Sequence, residues 1–145
     1  MATAGYSGTP LPLKLGLKEG MRVLLVRPPQ GAEGLLEPIP ADVRLMRRAG
    51  GSLDMVLAFC HRRRDLARDL DRLLPSLVPA GMFWAAWPKR ASGVATDITE
   101  DVVREVALPM GLVDTKVCAI DATWSGLRLV LRRELRSVGG SPHPA

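Results

Sequence analysis

The chain has 145 residues, of which 47% are hydrophobic and 24% charged, an ordinary balance for a soluble globular protein of one domain. No apolar run approaches the ~18 residues of a membrane span, and no signal-peptide pattern opens the chain. Composition therefore excludes a membrane protein and indicates the cytoplasm.

The net charge of +5 comes from two short basic runs, Arg62–Arg64 and Arg132–Arg136, and the rest of the chain is close to neutral. Solvated faces are the favoured interpretation of these runs over a nucleic-acid patch. Aromatic residues make up only 4% of the chain, which disfavours a platform for stacking bases. Nucleic-acid binding is therefore only a second alternative.

Two cysteines, Cys60 and Cys118, lie inside apolar runs, which predicts buried free thiols. No Cys/His spacing predicts a zinc site. His61 follows Cys60 directly, but neighbouring residues on a strand point to opposite faces. We therefore predict no metal and no cofactor.

The predicted domain organisation is simple. Residues 1–12 are rich in Gly, Ser, Thr and Pro and predict an irregular arm. Residues 13–136 form one α/β domain, and residues 137–145 predict a flexible tail.

The first half of the domain alternates strands with short turns. Met21–Val26 is a continuous apolar strand of the kind that is buried in a parallel sheet. A short helical turn at Ala32–Leu36, a weak second strand at Val43–Met46 and a third strand at Leu53–Cys60 follow. The next segment is an amphipathic helix that ends at Pro79–Gly81. Its predicted apolar face is Leu66, Leu70, Leu73, Leu74 and Leu77.

The second half predicts a fourth strand at Met82–Trp87, a helix from Ile98 to Met110, and two strands at Leu112–Ile120 and Leu127–Leu131. The link between the last two strands is too short for a crossover, so they pair antiparallel. The order predicts a three-layer, Rossmann-like α/β sandwich. Its mostly parallel sheet has about six strands, with the first, third and fourth parallel at the centre.

The loop after the fourth strand is the candidate binding site, because α/β folds bind ligands at the carboxyl edge of the sheet. Lys89 and Arg90 could hold a phosphate or carboxylate, with Ser92 and Asp97 beside them. Asp97 also has the spacing of a capping box with Glu100, which would satisfy the helix N–H groups internally. Both interpretations stay open.

Distant segments complete the predicted site. Trp124, at the tip between the last strands, is expected to contact the Lys89 loop, and Tyr6 and Ser7 of the arm to fold over it. Asp121 predicts an Asx-turn at that tip. No Ser/His/Asp arrangement supports a hydrolase, so no catalytic residue is predicted.

Four motifs carry a resemblance to a family of small bacterial proteins known as domain of unknown function 3052. This resemblance covers roughly residues 5–133 and implies a fold, but no established activity. The motifs are Gly5–Leu11, Trp87–Lys89 with Ser92–Asp97, Gly111–Asp114, and Val117–Asp121 with Thr123–Leu127.

Asp54–Trp87 also resembles the fourth strand, helix and fifth strand of class I S-adenosylmethionine-dependent methyltransferases, which implies a methyltransferase-like fold. Nucleotide-type cofactors need a glycine turn after the first strand and an acidic residue after the second. Here Arg27-Pro28-Pro29 and Met46-Arg47-Arg48 occupy those places.

The sequence therefore favours a non-catalytic binding or interaction module of the cytoplasm, with a small anionic ligand or a protein as its partner. The alternative is a methyltransferase-like enzyme with atypical cofactor binding. Asp54 and Asp114, near strand starts at the opposite edge, are expected to be solvated.

Overall fold

A computed structural model describes the backbone of residues 9–139 and the side chains of residues 9–136. The helices are α1 (Leu11–Leu15), α2 (Ala32–Leu35), α3 (Arg63–Leu73), α4 (Glu100–Ala107) and α5 (Arg133–Gly139). The strands are β1 (Arg22–Val26), β2 (Arg44–Met46), β3 (Leu53–Phe59), β4 (Leu77–Pro88), β5 (Leu112–Ala119) and β6 (Trp124–Leu131).

The six strands form one mixed sheet in the order β2-β1-β3-β4-β6-β5. β1 pairs parallel with β2 and β3, and β3 pairs parallel with β4, whereas β6 runs antiparallel to both β4 and β5. The predicted sheet is confirmed, including the central position of the first, third and fourth strands. These strands are continuously apolar because helices cover both faces of the sheet.

Side chains alternate along the strands into two cores. On β3, Val56 and Ala58 face the layer of α3 and α4, whereas Leu57 and Phe59 face the layer of α1 and α2. Leu70 of α3 is fully buried in the first of these layers. The predicted three-layer sandwich is therefore confirmed.

The helix α1 begins at Leu11 and so takes in the last two residues of the predicted irregular arm, residues 1–12, of which residues 1–8 lie outside the described part of the chain. Pro12 fits because proline is tolerated in the first turn of a helix, and Gly16, at φ +87°, ends the helix. The carbonyl of Leu15 accepts a 2.9 Å hydrogen bond from the buried indole N–H of Trp84. At the other end, α5 continues to Gly139, past the predicted start of the tail.

The boundary between α3 and β4 also differs from the prediction. The helix ends at Leu73, and Leu77 starts a strand by pairing with Leu53, so strand pairing overrides the helical spacing of the leucines. Leu74, predicted on the buried face, is consequently only half-buried.

Three aspartates show how the ends of the strands are held. Oδ1 of Asp121 accepts the N–H groups of Thr123 and Trp124, both at 2.8 Å, so the predicted Asx-turn is confirmed. Asp54 and Asp114 are not simply solvated. Asp54 accepts the N–H of Arg22 at 2.9 Å, and Asp114 pairs with a guanidinium on α4 at 3.0 Å.

Candidate functional site

The carboxyl ends of β1, β3 and β4 meet at one edge of the sheet, where folds of this type bind ligands. Two regions of this edge carry charged side chains. The β1–β3 crevice contains Arg27, Cys60 and Asp69. The β4 hollow is a cavity beside the end of β4.

The β4 hollow has a volume of about 510 Å³ and lies between β4, the loop after it and the start of α4. Cationic, hydroxyl and apolar groups share its wall. Its lining residues are Trp87, Pro88, Lys89, Arg90, Gly93, Val94, Ala95, Thr96, Ile98, Thr99, Glu100 and Ser125.

Hydrogen bonds fix the loop that carries the cations. The N–H of Lys89 donates to the carbonyl of Thr123 at 2.7 Å. The hydroxyl of Ser92 donates to the carbonyl of Lys89 at 2.6 Å and accepts the N–H of Val94 at 3.1 Å. Gly93 closes the turn at φ +77°. Ser92, a predicted ligand contact, thus shapes the loop and does not line the hollow.

Asp97 does not cap α4, so the predicted capping box is wrong. The N-cap is Thr99, whose Oγ1 accepts the N–H of Val102 at 3.2 Å. The carboxylate of Asp97 instead accepts the N–H of Arg63 at 2.6 Å, at the start of α3. Asp97 therefore connects the loop before α4 to the start of α3. It lines a neighbouring cavity instead of the β4 hollow.

Lys89 and Arg90 are the cations of the β4 hollow. Neither makes an ion pair with any carboxylate of the described residues. Glu100, on the same wall, is paired with Arg104. Both cations therefore keep their donor capacity for an anion that enters the hollow.

Trp124 reaches the expected edge but faces away from the hollow. Trp87 pairs with Ser125 across the antiparallel strands, so the two distant segments do meet. Since side chains alternate along β6, Ser125 lines the hollow and Trp124 lies on the opposite face. Its ring packs edge-on against Phe59 and His61, with centroid distances of 5.0 Å and 5.2 Å.

Sequence reasoning thus found the cations of the hollow but missed part of its wall. Lys89 and Arg90 line it as predicted, whereas Tyr6 and Ser7 lie outside the described residues. Ser125 was missed because only the register of β6 on β4 decides which of two adjacent residues faces the cavity.

Arg27 closes the β1–β3 crevice with the chain's own contacts. Its guanidinium donates to the carbonyl of Phe59 at 3.0 Å, to the sulfur of Cys60 at 3.3 Å and to both carboxylate oxygens of Asp69. The side chain of Asp69 is 2% exposed, and Arg72 supplies a second cation at 3.7 Å. The crevice is therefore filled by an internal ion pair.

The electrostatics of the crevice keep its thiol protonated. Burial and the charge of Asp69 raise the pKa of Cys60 to about 12. Burial by itself lowers the pKa of Arg27, but the hydrogen bond and charge of Asp69 outweigh it and raise that pKa. Cys60 consequently stays a neutral thiol near pH 7, and a neutral thiol is a poor nucleophile. Cys118, only half-buried, also has a pKa raised by burial.

Solved structures of S-adenosylmethionine-dependent methyltransferases share this fold. A methyltransferase from Aquifex aeolicus has a TM-score of 0.57 at 13% identity, over 83% of this chain and 87% of that one. Fibrillarin from Aeropyrum pernix, with bound S-adenosylmethionine, has a TM-score of 0.55 at 16% identity, over 83% and 73%.

TrmN from Thermus thermophilus has a TM-score of 0.52 at 16% identity over 84% of this chain and 47% of TrmN, so the chain spans about half the length of TrmN. At such identities these likenesses show a methyltransferase-like Rossmann fold and nothing finer. No family model and no curated protein matches the chain. The resemblance to domain of unknown function 3052 therefore gains no support.

The crevice residues do not fit S-adenosylmethionine in the binding mode that the fold implies. Pro28 and Pro29 have no N–H to offer after β1, and Arg47 and Arg48 stand where an acidic residue would follow β2. Arg27 crosses the space between β1 and β3. Such a cofactor would have to displace an ion pair and would gain few backbone donors.

The described residues offer no metal centre, since no three His, Cys, Asp or Glu side chains among them are grouped to hold an ion. Nor is any helix in this part of the chain long and apolar enough to cross a bilayer.

Proposed function

We propose that the protein is a cytoplasmic binding module on a methyltransferase-like fold, which takes a small anionic ligand in the β4 hollow. The observation that carries this proposal is that Lys89 and Arg90, on the wall of a cavity at the ligand-binding edge, have no ion pair with any carboxylate of residues 9–136. A cavity of about 510 Å³ has the size of a small-molecule site.

The rest of the wall suits a ligand that has an apolar part as well as an anionic group. Trp87 and Ile98 give the hollow an apolar side, and Ser125 brings a hydroxyl to it. Lys89 acts as a point charge, whereas Arg90 presents a planar fork that matches the oxygens of phosphate or carboxylate. The chemistry therefore favours a phosphate or carboxylate attached to a modest apolar group.

A methyltransferase-like enzyme is the second candidate. The solved structures favour it over a module without catalysis, because they include S-adenosylmethionine-dependent methyltransferases such as those from Aquifex aeolicus and Thermotoga maritima. The ion pair in the β1–β3 crevice argues against an enzyme that binds its cofactor there, as the fold would imply. This candidate therefore requires the cofactor to bind elsewhere or to displace Arg27.

Calorimetric titration separates the two candidates. Inorganic phosphate, S-adenosylmethionine and S-adenosylhomocysteine are titrated into the wild-type protein and into Lys89→Ala. We expect phosphate to bind the wild-type protein and to lose at least about tenfold in affinity in the variant, since a charge-assisted bond is removed. We expect no heat from either adenosyl compound.

Lys18→Ala is the matched control, since Lys18 is an exposed lysine in the segment that enters β1 at the other edge of the sheet. It should bind phosphate like the wild-type protein. Equal affinity in all three proteins would contradict the β4 hollow as the site. Micromolar binding of S-adenosylmethionine would favour the enzyme candidate instead.

A further inference from the structure

A second cationic cavity adjoins the β4 hollow. This cavity, the arginine hollow, has a volume of about 540 Å³ and is lined by Arg62, Arg63, Arg64, Ala67 and Asp97. It lies at the same carboxyl edge, because Arg62 follows β3 and opens α3. The basic run Arg62–Arg64, which the sequence predicts to be a solvated face, thus forms part of the wall of a cavity.

One short segment, the strut Thr96–Asp97, separates the two cavities. Thr96 lines the β4 hollow and Asp97, the next residue, lines the arginine hollow. The hydroxyl of Thr96, at 2.6 Å, and the N–H of Asp97, at 3.3 Å, both donate to the carbonyl of His61. This strut is fixed to the end of β3, so the two cavities keep a constant relation.

The charges of the arginine hollow are only partly compensated. Arg63 pairs with Glu105 at 2.7 Å, and the carboxylate of Asp97 is engaged by the N–H of Arg63. Arg62 and Arg64 have no ion pair with any carboxylate of the described residues. Arginines at the start of α3 also face the positive end of its dipole, so helix stability does not explain them.

We propose that the ligand spans the strut and carries at least two phosphate groups, one held by Lys89 and Arg90 and the other by Arg62 and Arg64. This rests on the proposed function of the β4 hollow and names its ligand class. A single anion would leave one pair of cations uncompensated, whereas adjacent phosphates satisfy both cavities. Such phosphates come from a small polyphosphate or from a nucleic-acid strand.

The experiment compares inorganic phosphate with tripolyphosphate by calorimetry at low salt. The proteins are wild type, Lys89→Ala, Arg64→Gln and the control Arg133→Gln, which removes an equal charge at an exposed position of α5. We expect the wild-type protein to bind tripolyphosphate at least about tenfold more tightly than phosphate. Each of the first two variants should lose most of that preference, and the control none, because only a bridging ligand depends on both cavities.

Three results overturn the bridging ligand. If tripolyphosphate gains nothing over phosphate, or if Arg64→Gln binds it like the wild-type protein while Lys89→Ala does not, the ligand occupies the β4 hollow alone and the proposed function stands. If neither anion binds the wild-type protein, the proposed function fails as well.

A short RNA strand decides the source of the phosphates. Displacement of tripolyphosphate by the strand, with an affinity that falls steeply as salt rises, assigns the site to nucleic acid. A strand that does not compete assigns it to small polyphosphates. Both results support the bridging site, and circular dichroism of each variant checks that the exposed substitutions leave the fold intact.

Discussion

The β1–β3 crevice and the β4 hollow lie at the same edge of one sheet, and each contains arginine, but their charges are used differently. In the crevice, Arg27 finds a carboxylate that is 2% exposed, together with a carbonyl and a thiol of its own chain. In the hollow, Lys89 and Arg90 have no carboxylate partner among the described residues. The charges of the first region are compensated within the fold, whereas no described carboxylate compensates the two cations of the second.

The difference shows why a shared fold does not fix the place of binding. The switch point between β1 and β3 is the expected ligand site of a doubly wound sheet, yet here the ion pair between Arg27 and the buried Asp69 fills it. A buried carboxylate requires its partner, because removing one member leaves an uncompensated charge. Four single variants and one double variant can break or sharpen this contrast.

Arg27→Met should have the largest effect on stability. Removing one partner of a buried pair costs about 3–5 kcal/mol. We expect about 3 kcal/mol because the Arg27 side chain is 43% exposed, so that water can partly replace it, and because Arg72 stays 3.7 Å from Asp69. Urea unfolding measures the loss. Arg47→Met is the control, since Arg47 pairs with Glu33 on the surface and should change stability by less than ~0.5 kcal/mol.

The double variant Arg27→Met with Asp69→Leu tests the reason for that loss. It removes both charges and should recover most of the stability, because an apolar pair of similar volume replaces an ion pair without leaving a buried charge. Equal losses in Arg27→Met and Arg47→Met would show that the crevice is not held by its ion pair.

Cys60 makes the crevice sensitive to alkaline pH. An unfolded thiol has a pKa of about 8.5, and the folded state raises that of Cys60 to about 12. Between these values only the unfolded chain has lost the proton, so the stabilisation present below about pH 8.5 is lost as pH rises toward 12. The loss is about 2 kcal/mol between about pH 8 and about pH 10.

Urea unfolding of the wild-type protein and of Cys60→Ala at both pH values checks this. The stability advantage of the wild-type protein should shrink by that amount at the higher pH. Cys118→Ala, at a half-buried position, should show a smaller change. An advantage independent of pH would mean that the buried thiol ionises as easily as an exposed one.

Thr99→Ala separates the helix start from the side-chain cations. Loss of the N-cap should lower the free energy of unfolding by about 1 kcal/mol. Thr99 lines the hollow, but its Oγ1 is engaged by the N–H of Val102. If Lys89 and Arg90 hold the anion, phosphate affinity should therefore fall far less than in Lys89→Ala. Thr99→Ser keeps the cap oxygen and serves as the control. If phosphate affinity falls as far as in Lys89→Ala, and does so in Thr99→Ala but not in Thr99→Ser, the anion binds at the start of α4.

Lys89→Ala should have the smallest effect on stability, within ~0.5 kcal/mol, because no ion pair of the described residues depends on it. Its loss of phosphate affinity should be large by comparison. Urea unfolding and calorimetry of the same preparation give both numbers. A destabilisation as large as that of Arg27→Met would show that the Lys89 side chain stabilises the fold instead.

Sequence reasoning identified the fold because the apolar runs of β1, β3 and β4 demand cover on both faces. It located Lys89 and Arg90 because the end of a buried strand is visible in the sequence. Arg27 and Asp69 are 42 residues apart, and nothing local shows that they meet. Whether Ser125 or Trp124 faces the hollow depends on the register of β6 against β4. A shift of one residue would exchange them, and residue spacing in the sequence does not determine that register.

The hydrogen bond from Trp84 to the carbonyl of Leu15 has a consequence for the order of folding. It joins the first helix to the fourth strand across 69 residues. During synthesis α1 leaves the ribosome early, but its docking partner is made only with β4. The hydrogen bond that holds the end of α1 can therefore form only after the fourth strand has been synthesised, although earlier segments already supply part of the apolar cluster around Leu15 and Leu17.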